Sequence, residues 1–372
     1  MQQILPIITE PYYNRSSWFS AVLAAIEKTA AAQKIKVQVY TDGLTSEQID
    51  ALPHTVVVAT GVSTYLKQII SVLEKRGHHV LLAGLFSDPL NGEVSHVSSN
   101  SQHETRLVVD YLASCKRNKI ALIGFREHGM NDVVRCSEVL SVTKSVGLKM
   151  TWRDIYYRGN SLEACMRRFH DNIHKYNAAI CPNGAAAIYL INYCKQNNVE
   201  IPEDLFVISF SDMHMASYSN PSLTSIKTDF SMIGRKTVYA WSYLEAHPKD
   251  NIVMSIKIKS RLSIRESTAN IPFVDQPSST GEDYIAPYVD RYYEHRVTNS
   301  LFSLEKEMQD FDELDFQIIQ LLMDGLSYEE ITDQTFMSMS GLRYRVKKIF
   351  ERLSMENKKE FMKKFQALVG KK

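Results

Sequence analysis

Near the C-terminus, Arg343, Tyr344, Lys347 and Lys348 fall on one face if the run "SGLRYRVKKIFERL" is helical. Leu342, Val346, Ile349 and Leu353 then recur at steps of four, three and four and make an apolar stripe on another face. A helix buried by one face, with cations and an aromatic on the other, has the chemistry to enter a major groove. Lysines neutralise phosphates there, and Arg343 has the fork to contact a guanine edge. The plainer reading of the same residues is a solvated basic face of a small helical bundle. Other candidates are weaker. His170 and His174 stand four apart, a spacing that can bind zinc, but no third ligand accompanies them. The chain has no GxSxG, Walker A or GxGxxG pattern. We therefore expect no catalytic residues, no metal site and no cofactor.

The elements around the basic face carry their own signals. Ser327 and Glu330 form a capping-box pattern that opens a short helix with Ile331 inward. A turn is expected at 335–337, and Ser338 or Ser340 can cap the second helix. Ser340 also joins the DNA-facing candidates. Phe311, Leu314, Ile318, Leu321 and Leu322 predict a preceding helix that stops near Gly325. Phe361, Phe365 and Leu368 predict a following one. Residues 312–368 resemble a LuxR-type DNA-binding domain, on the runs "GLSYEEI", "FMS" and "LRYRVKKIFERL". The resemblance implies double-stranded DNA as partner, with Arg343, Tyr344 and Lys347 at base-facing positions. Gly341 departs from it, since a glycine inside a helix costs up to about 1 kcal/mol.

A chain of 372 residues is too long for one ordinary core. With 43 Lys and Arg against 42 Asp and Glu it is no polycation, so any nucleic-acid affinity must be local. Five cysteines without a CxxC pair argue against a disulfide framework or zinc site and for a reducing compartment. No stretch approaches the ~20 apolar residues of a membrane span, and the N-terminus lacks a signal-peptide pattern. We expect a cytoplasmic protein with no membrane partner.

Upstream, β-rich runs at 5–9, 37–41, 55–60, 79–84, 94–99, 119–125, 149–157, 178–182, 205–210 and 222–228 alternate with helical patterns. Those patterns lie at 17–33, 61–76, 102–115, 131–146, 162–176 and 185–197. The alternation predicts βαβ units and largely parallel sheets. The runs "VSSNSQHETRLVVDYLASCKRNKIALIGF", "AAICPNGAAAIYLI", "IPEDLFVISFSD", "NPSLTSIKTDFSMIGRKTV" and "SRLSIREST" resemble a LacI-type sensor over residues 1–268. The resemblance implies an α/β, two-lobed, doubly wound periplasmic-binding-protein-like fold with a ligand cleft. It puts 1–126 and 223–246 in one lobe, 127–222 and 247–268 in the other.

It also implies ligand residues. Arg135 and Asn183 match cleft positions, and Tyr12, Tyr13, Trp18 and Phe19 stand at the first strand–helix turn. Trp18 and Phe19 could equally be helix core. Ser211 stands where the family often has an effector-binding aspartate, with Asp212 beside it as a partial substitute or a cap. Gly184 stands in place of a second aspartate, so a simple polyol loses two charged partners. With the first expected strand beginning near Met1, we do not expect the family's N-terminal DNA-binding headpiece here.

Between the two halves, residues 269–311 are expected to hold a linker around Pro277 and Gly281 and a connector helix. Val297, Leu301, Leu304, Met308 and Phe311 repeat in heptad fashion, so this helix either pairs two protomers or packs on its own chain. The domains expected are thus a sensor at 1–268, the connector, and a small all-α four-helix helix-turn-helix domain at 312–372. Together they imply a one-component transcription regulator, a homodimer with a small-molecule effector of sugar type. The alternatives are a ligand-binding scaffold whose tail binds proteins, or a degenerate sensor controlled by dimerisation.

Overall fold

The computed structural model describes residues 3–11, 16–61, 63–86, 90, 93–274 and 295–369. Tyr12, Tyr13 and the 277–292 part of the linker lie outside them. The chain divides into two units, Met1–Gln276 and Pro277–Lys372.

The first unit contains two sheets. One is built from β1 (Ile4–Thr9), β2 (Lys36–Tyr40), β3 (Thr55–Ala59), β4 (His79–Ala83), β5 (Ser95–Ser99) and a late strand, β11 (Ser255–Ile258). The other holds β6 (Ile120–Phe125), β7 (Ile155–Tyr157), β8 (Ala178–Cys181), β9 (Phe206–Ser209), β10 (Thr224–Lys227) and β12 (Arg261–Ser263). Their orders are β11-β5-β4-β3-β1-β2 and β12-β10-β9-β8-β6-β7. Every pairing is parallel except β10 with β12. Strands such as TVVVA and IALIGF are apolar on both faces because helices cover both faces of a parallel sheet.

The helices are α1 (Ser17–Ala32), α2 (Ser46–Asp50), α3 (Ser63–Lys75), α4 (Ser101–Ser114), α5 (Met130–Ser145), α6 (Leu162–His170), α7 (Gly184–Gln196) and α8 (Phe230–Ala246). In the first lobe, Phe19 and Val22 of α1 and Trp241 and Leu244 of α8 pack on Leu5, Val57 and Leu81. The indole N–H of Trp241 donates to the Thr55 carbonyl at 2.9 Å, so this large core side chain is also satisfied. In the second lobe, Leu107, Val108 and Tyr111 of α4 pack with Ile120, Phe125 and Val139.

That packing corrects the expected division of the lobes. α4 and β6 belong to the second lobe: α4 has its apolar face there, and β6 pairs with β7 and β8. β10 likewise pairs with β9, whereas β11 returns to β5 in the first lobe. The chain therefore crosses between lobes at 99–101, 227–230 and 258–261. The expected strand at 149–157 shrinks to β7, because Thr151 and Asp154 form a capping box around a 3-10 turn at Trp152–Asp154. Helix α6 stops at His170, and His174 sits in a separate 3-10 turn, Ile173–Lys175, so the two histidines do not share one helix. Elements α2, α8, β11 and β12 were not anticipated.

The described residues of the second unit form only helices and their connections. It comprises α9 (Arg296–Met308), α10 (Glu313–Met323), α11 (Tyr328–Thr335), α12 (Met339–Arg352) and α13 (Lys358–Val369). Leu304, Ile318, Leu322, Ile331, Leu342, Val346, Ile349, Phe361 and Phe365 share its core. The C-terminal half of the connector helix is thus part of this unit through Leu304, with Met308 and Phe311 beside it.

Candidate functional site

In the first unit, a cavity of about 440 Å³ opens between the two lobes at the carboxyl ends of the strands. Ser99 at the end of β5 lines it, with the residues just past β4, β6, β8 and β9: Gly84 and Leu85, Arg126, Pro182 and Asn183, Phe210 and Ser211. The N-cap and first turn of α1 add Ser16 and Trp18, and the first two turns of α5 add Met130, Asn131 and Arg135.

Arg135 is the centre of this arrangement. Its side chain is 12% exposed and lies between two rings, 5.6 Å from the Phe86 centroid and 5.0 Å from that of Phe210. Nη2 donates to Glu104 Oε2 at 3.3 Å. The Pro182 and Phe210 carbonyls stand at 3.5 Å, the outer limit of a hydrogen bond. Nε of Arg135 and Oγ of Ser16 are buried with no partner among the described residues, and such orphaned donors are costly unless something else satisfies them. Asn183 caps α7, accepting from Ala186 N–H at 3.0 Å, and the residue stays exposed at the cavity.

Trp18 lies across Gly84: a Cβ there would come within 2.3 Å of the indole, so only glycine leaves it room. Gly184 is explained in the same way. A Cβ at that position would meet Met213 at 2.8 Å, so Met213 fills the space an aspartate would occupy. Asn131 bridges the lobes, a role the sequence reading missed. Its Oδ1 accepts from Phe86 N–H at 3.1 Å and its Nδ2 donates to the Gly84 carbonyl at 3.2 Å.

Two expected ligand residues stand elsewhere. Phe19 is fully buried in the first-lobe core, because α1 turns that side chain towards the sheet. Asp212 makes a two-pronged ion pair with Arg265, at 2.9 and 3.1 Å, which fixes the end of β9 to the chain after β12. Trp18, Arg135, Asn183 and Ser211 do share the cavity.

The second unit gathers the basic face. Ser327 and Glu330 cap α11 reciprocally, and Phe336 ends it in a left-handed conformation at φ 51°. Ser338, not Ser340, caps α12, accepting from Gly341 N–H at 3.1 Å. The apolar stripe Leu342, Val346, Ile349 and Leu353 is buried, joined by Phe350. Ser340, Arg343, Tyr344, Lys347 and Lys348 are all exposed, Tyr344 by 69%. Lys347 lies 3.7 Å from Glu351, whereas Arg343 and Lys348 form no ion pair among the described residues. Arg345, on the same helix, is engaged differently. It bonds Asp312 at 2.8 Å and Asp315 at 2.7 Å, tying α12 to the start of α10. These bonds hold the Asp312 carboxyl below its usual range.

Among the described residues no group of three or more potential metal ligands occurs, and no helix is long and apolar enough to cross a membrane. Burial pushes the Cys136 and Cys194 thiols up to about 12, which leaves them poor nucleophiles.

Comparison with known proteins adds to this picture. Residues 109–268 match the family described as periplasmic binding protein-like domain. An arabinose metabolism transcriptional repressor of Halalkalibacterium halodurans is 28% identical over 114 residues, 29% of this chain and 30% of that protein. The probable HTH-type transcriptional regulator EndR of Paenibacillus polymyxa is 24% identical over 208 residues, 55% of this chain and 58% of that one. The chain thus spans between about a third and three-fifths of the length of these relatives. The solved structure of a transcriptional regulator CelR–cellobiose complex superposes with a TM-score of 0.61 at 15% identity, covering 72% of this chain and 84% of that one. Residues 109–268 therefore carry a periplasmic binding protein-like domain, within a two-lobed α/β fold like that of LacI-type transcription regulators.

Proposed function

We propose that this chain is a ligand-responsive transcription regulator whose reader is the second, helical unit. The observation that carries the proposal is the exposed face of α12. Arg343, Tyr344 and Lys348 stand in solvent on a helix whose opposite stripe is buried, following a short capped helix. That arrangement suits a major groove, with the cations on phosphates and Arg343 on a guanine edge. The unit resembles a LuxR-type domain in the sequence features given above, and the relatives of the first unit are themselves transcription regulators.

The effector site on this reading is the interlobe cavity, with Trp18, Arg135, Asn183 and Ser211 in contact with ligand. The unpartnered Arg135 Nε and Ser16 Oγ support it, since a ligand acceptor would satisfy them. A saccharide-like molecule fits the mixture of Trp18 and Phe230 rings with amide and hydroxyl groups, and cellobiose occupies a structural neighbour. Ligand binding shifts the lobes, in which Asn131 already spans the gap, and it can do so only by its differential affinity for the two states. In a dimer of cytoplasmic protomers, that shift would alter the fit of two readers to paired half-sites. A second reading, a cavity that has lost its ligand with control left to dimerisation, is favoured by Met213 over Gly184.

The test is DNA selection from pooled oligonucleotides with the purified protein, with and without saccharides that raise its melting midpoint. Enrichment of a two-fold symmetric motif that a saccharide weakens or strengthens is the expected result. A symmetric motif with no saccharide response would favour the second reading. Absence of enrichment under every condition would sink the regulator reading and leave a scaffold that binds proteins.

A further inference from the structure

We infer that Glu104 is a built-in counter-anion for Arg135 and sets the charge specificity of the cavity, so that an uncharged ligand enters and carboxylates and phosphates are turned away. The inference rests on the cavity being the ligand site. Glu104 is not part of the cavity wall; it lies one layer behind, 0% exposed, in the first turn of α4. Its Oε2 receives Arg135 Nη2 at 3.3 Å. Its Oε1 receives Ser260 Oγ at 2.6 Å and Thr228 Oγ1 at 3.1 Å.

These donors give Glu104 a second property. Glu104 follows the first interlobe crossing, Thr228 lies on the second and Ser260 on the third. One buried carboxylate therefore holds the cavity arginine and all three crossing segments together. A carboxylate this deep is tolerable only while its partners stay in place.

The charge consequence follows from the wall. Among the described residues lining the cavity, the only ionisable side chains are Arg126, Asp132 and Arg135. Arg126 is 3.7 Å from Asp132, and Asp132 also accepts from Arg126 N–H at 2.9 Å. Each lining arginine thus already has its carboxylate. An anionic ligand that reached the Arg135 fork would have to approach Glu104 across a desolvated gap, where like charges repel strongly. Neutral acceptors escape that penalty. A hydroxyl or carbonyl oxygen can take Arg135 Nε, which has no partner among the described residues, without displacing Glu104.

The experiment is isothermal titration of the full chain with inorganic phosphate at constant ionic strength. It compares the wild type, Glu104→Gln, Glu104→Ala, and Glu104→Gln combined with Arg135→Met. Gln keeps the shape and one acceptor for Ser260 and Thr228 but removes the charge. The wild type should give no saturable binding. Glu104→Gln should bind one phosphate per chain, at least about tenfold more tightly than any wild-type site. The added Arg135→Met should abolish that gain. Glu104→Ala covers the case in which the buried carboxamide prevents folding, judged by a cooperative melt. Saturable, Arg135-dependent phosphate binding by the wild type would overturn the inference. So would folded single variants that bind no better than the wild type, or loss of folding in both. A saccharide response in the DNA experiment alongside any of these results keeps the regulator reading and discards only the role of Glu104. Conversely, the expected gain of phosphate binding stands even if no DNA is selected.

Discussion

Arg135 and Arg343 are both helical arginines to which the proposed function assigns a ligand, and their surroundings are opposite. Arg135 is nearly buried, lies between the rings of Phe86 and Phe210, and is held by a carboxylate with no exposure of its own. Arg343 stands in solvent beside Tyr344 and Lys348 without an ion pair among the described residues. The first is pre-positioned and charge-compensated, which suits recognition of one small shape. The second is uncompensated and hydrated, which suits a long-range pull on a polyanion and a contact made only after docking. Two further arginines are compensated as Arg135 is, but neither lines the cavity. Arg345 is locked to Asp312 and Asp315, and Arg265 to Asp212.

The comparison can be broken first at the level of the cores. Phe361→Ala should cost the helical unit about 3–5 kcal/mol, because it empties a fully buried site in a small core. Calorimetry should show the helical transition lost and that of the two-lobed unit unmoved; a common shift of both would mean the units do not unfold separately. Arg135→Ala should rank next, at about 3 kcal/mol, since it leaves Glu104 buried without its cation. It should also erase any saccharide-induced rise in melting midpoint while DNA binding in the absence of ligand persists. A variant that still responds to saccharide would take Arg135 out of the ligand site.

On the exposed side the costs fall on binding, not folding. Arg343→Ala should weaken a selected DNA site by about 1–3 kcal/mol and relax base preference at one position, with the melt unchanged. Lys347→Ala should act more weakly and uniformly across sequences, because Glu351 already draws on that cation. Its signature is a salt slope shallower by less than about 0.9. Equal losses for both residues would erase the distinction between compensated and free cations.

The smallest effect expected is in pH dependence. Burial, with the nearby His54 adding to it, lowers the folded pKa of His79 below its usual 6.5. The unfolded chain then binds the proton more readily, so this stability is present above about 6.5 and declines as pH falls through that value. In the helical unit the depressed groups are Asp312, through Arg345, and Glu330, through the Ser327 amide. Their contribution is present above their ordinary values of 3.8 and 4.5 and fades only below them. Between pH 7 and 5.5, therefore, the midpoint of the two-lobed unit should drop slightly while that of the helical unit holds, and His79→Gln should flatten the first curve.

Much of this was open to reading in the sequence, for local reasons. The Ser327–Glu330 box, the stop near Gly325 and the Leu342–Val346–Ile349–Leu353 stripe all involve residues within one or two turns of each other. The structure gives each where expected. The β1, β3 and β6 runs were legible because strands buried on both faces are written as unbroken apolar runs. The edge strands β11 and β12 are half exposed, and their short alternating sequences carry no such mark. Trp18 was readable as a cavity aromatic only together with its neighbour. Which of the two faces inward depends on how α1 lies on its sheet.

What the sequence by itself determined is most of the helices and buried strands, their parallel βαβ character, and a basic face backed by an apolar stripe. Those properties are fixed by propensity, capping and periodicity over short distances. Tertiary structure alone decided which lobe owns α4, β6 and β11, and that Asp212 serves Arg265 across 53 residues. It alone brought Glu104 to Arg135, 31 residues away, and to Ser260, 156 away. Charge compensation at such separations leaves no local pattern, because it depends only on where the folded chain returns.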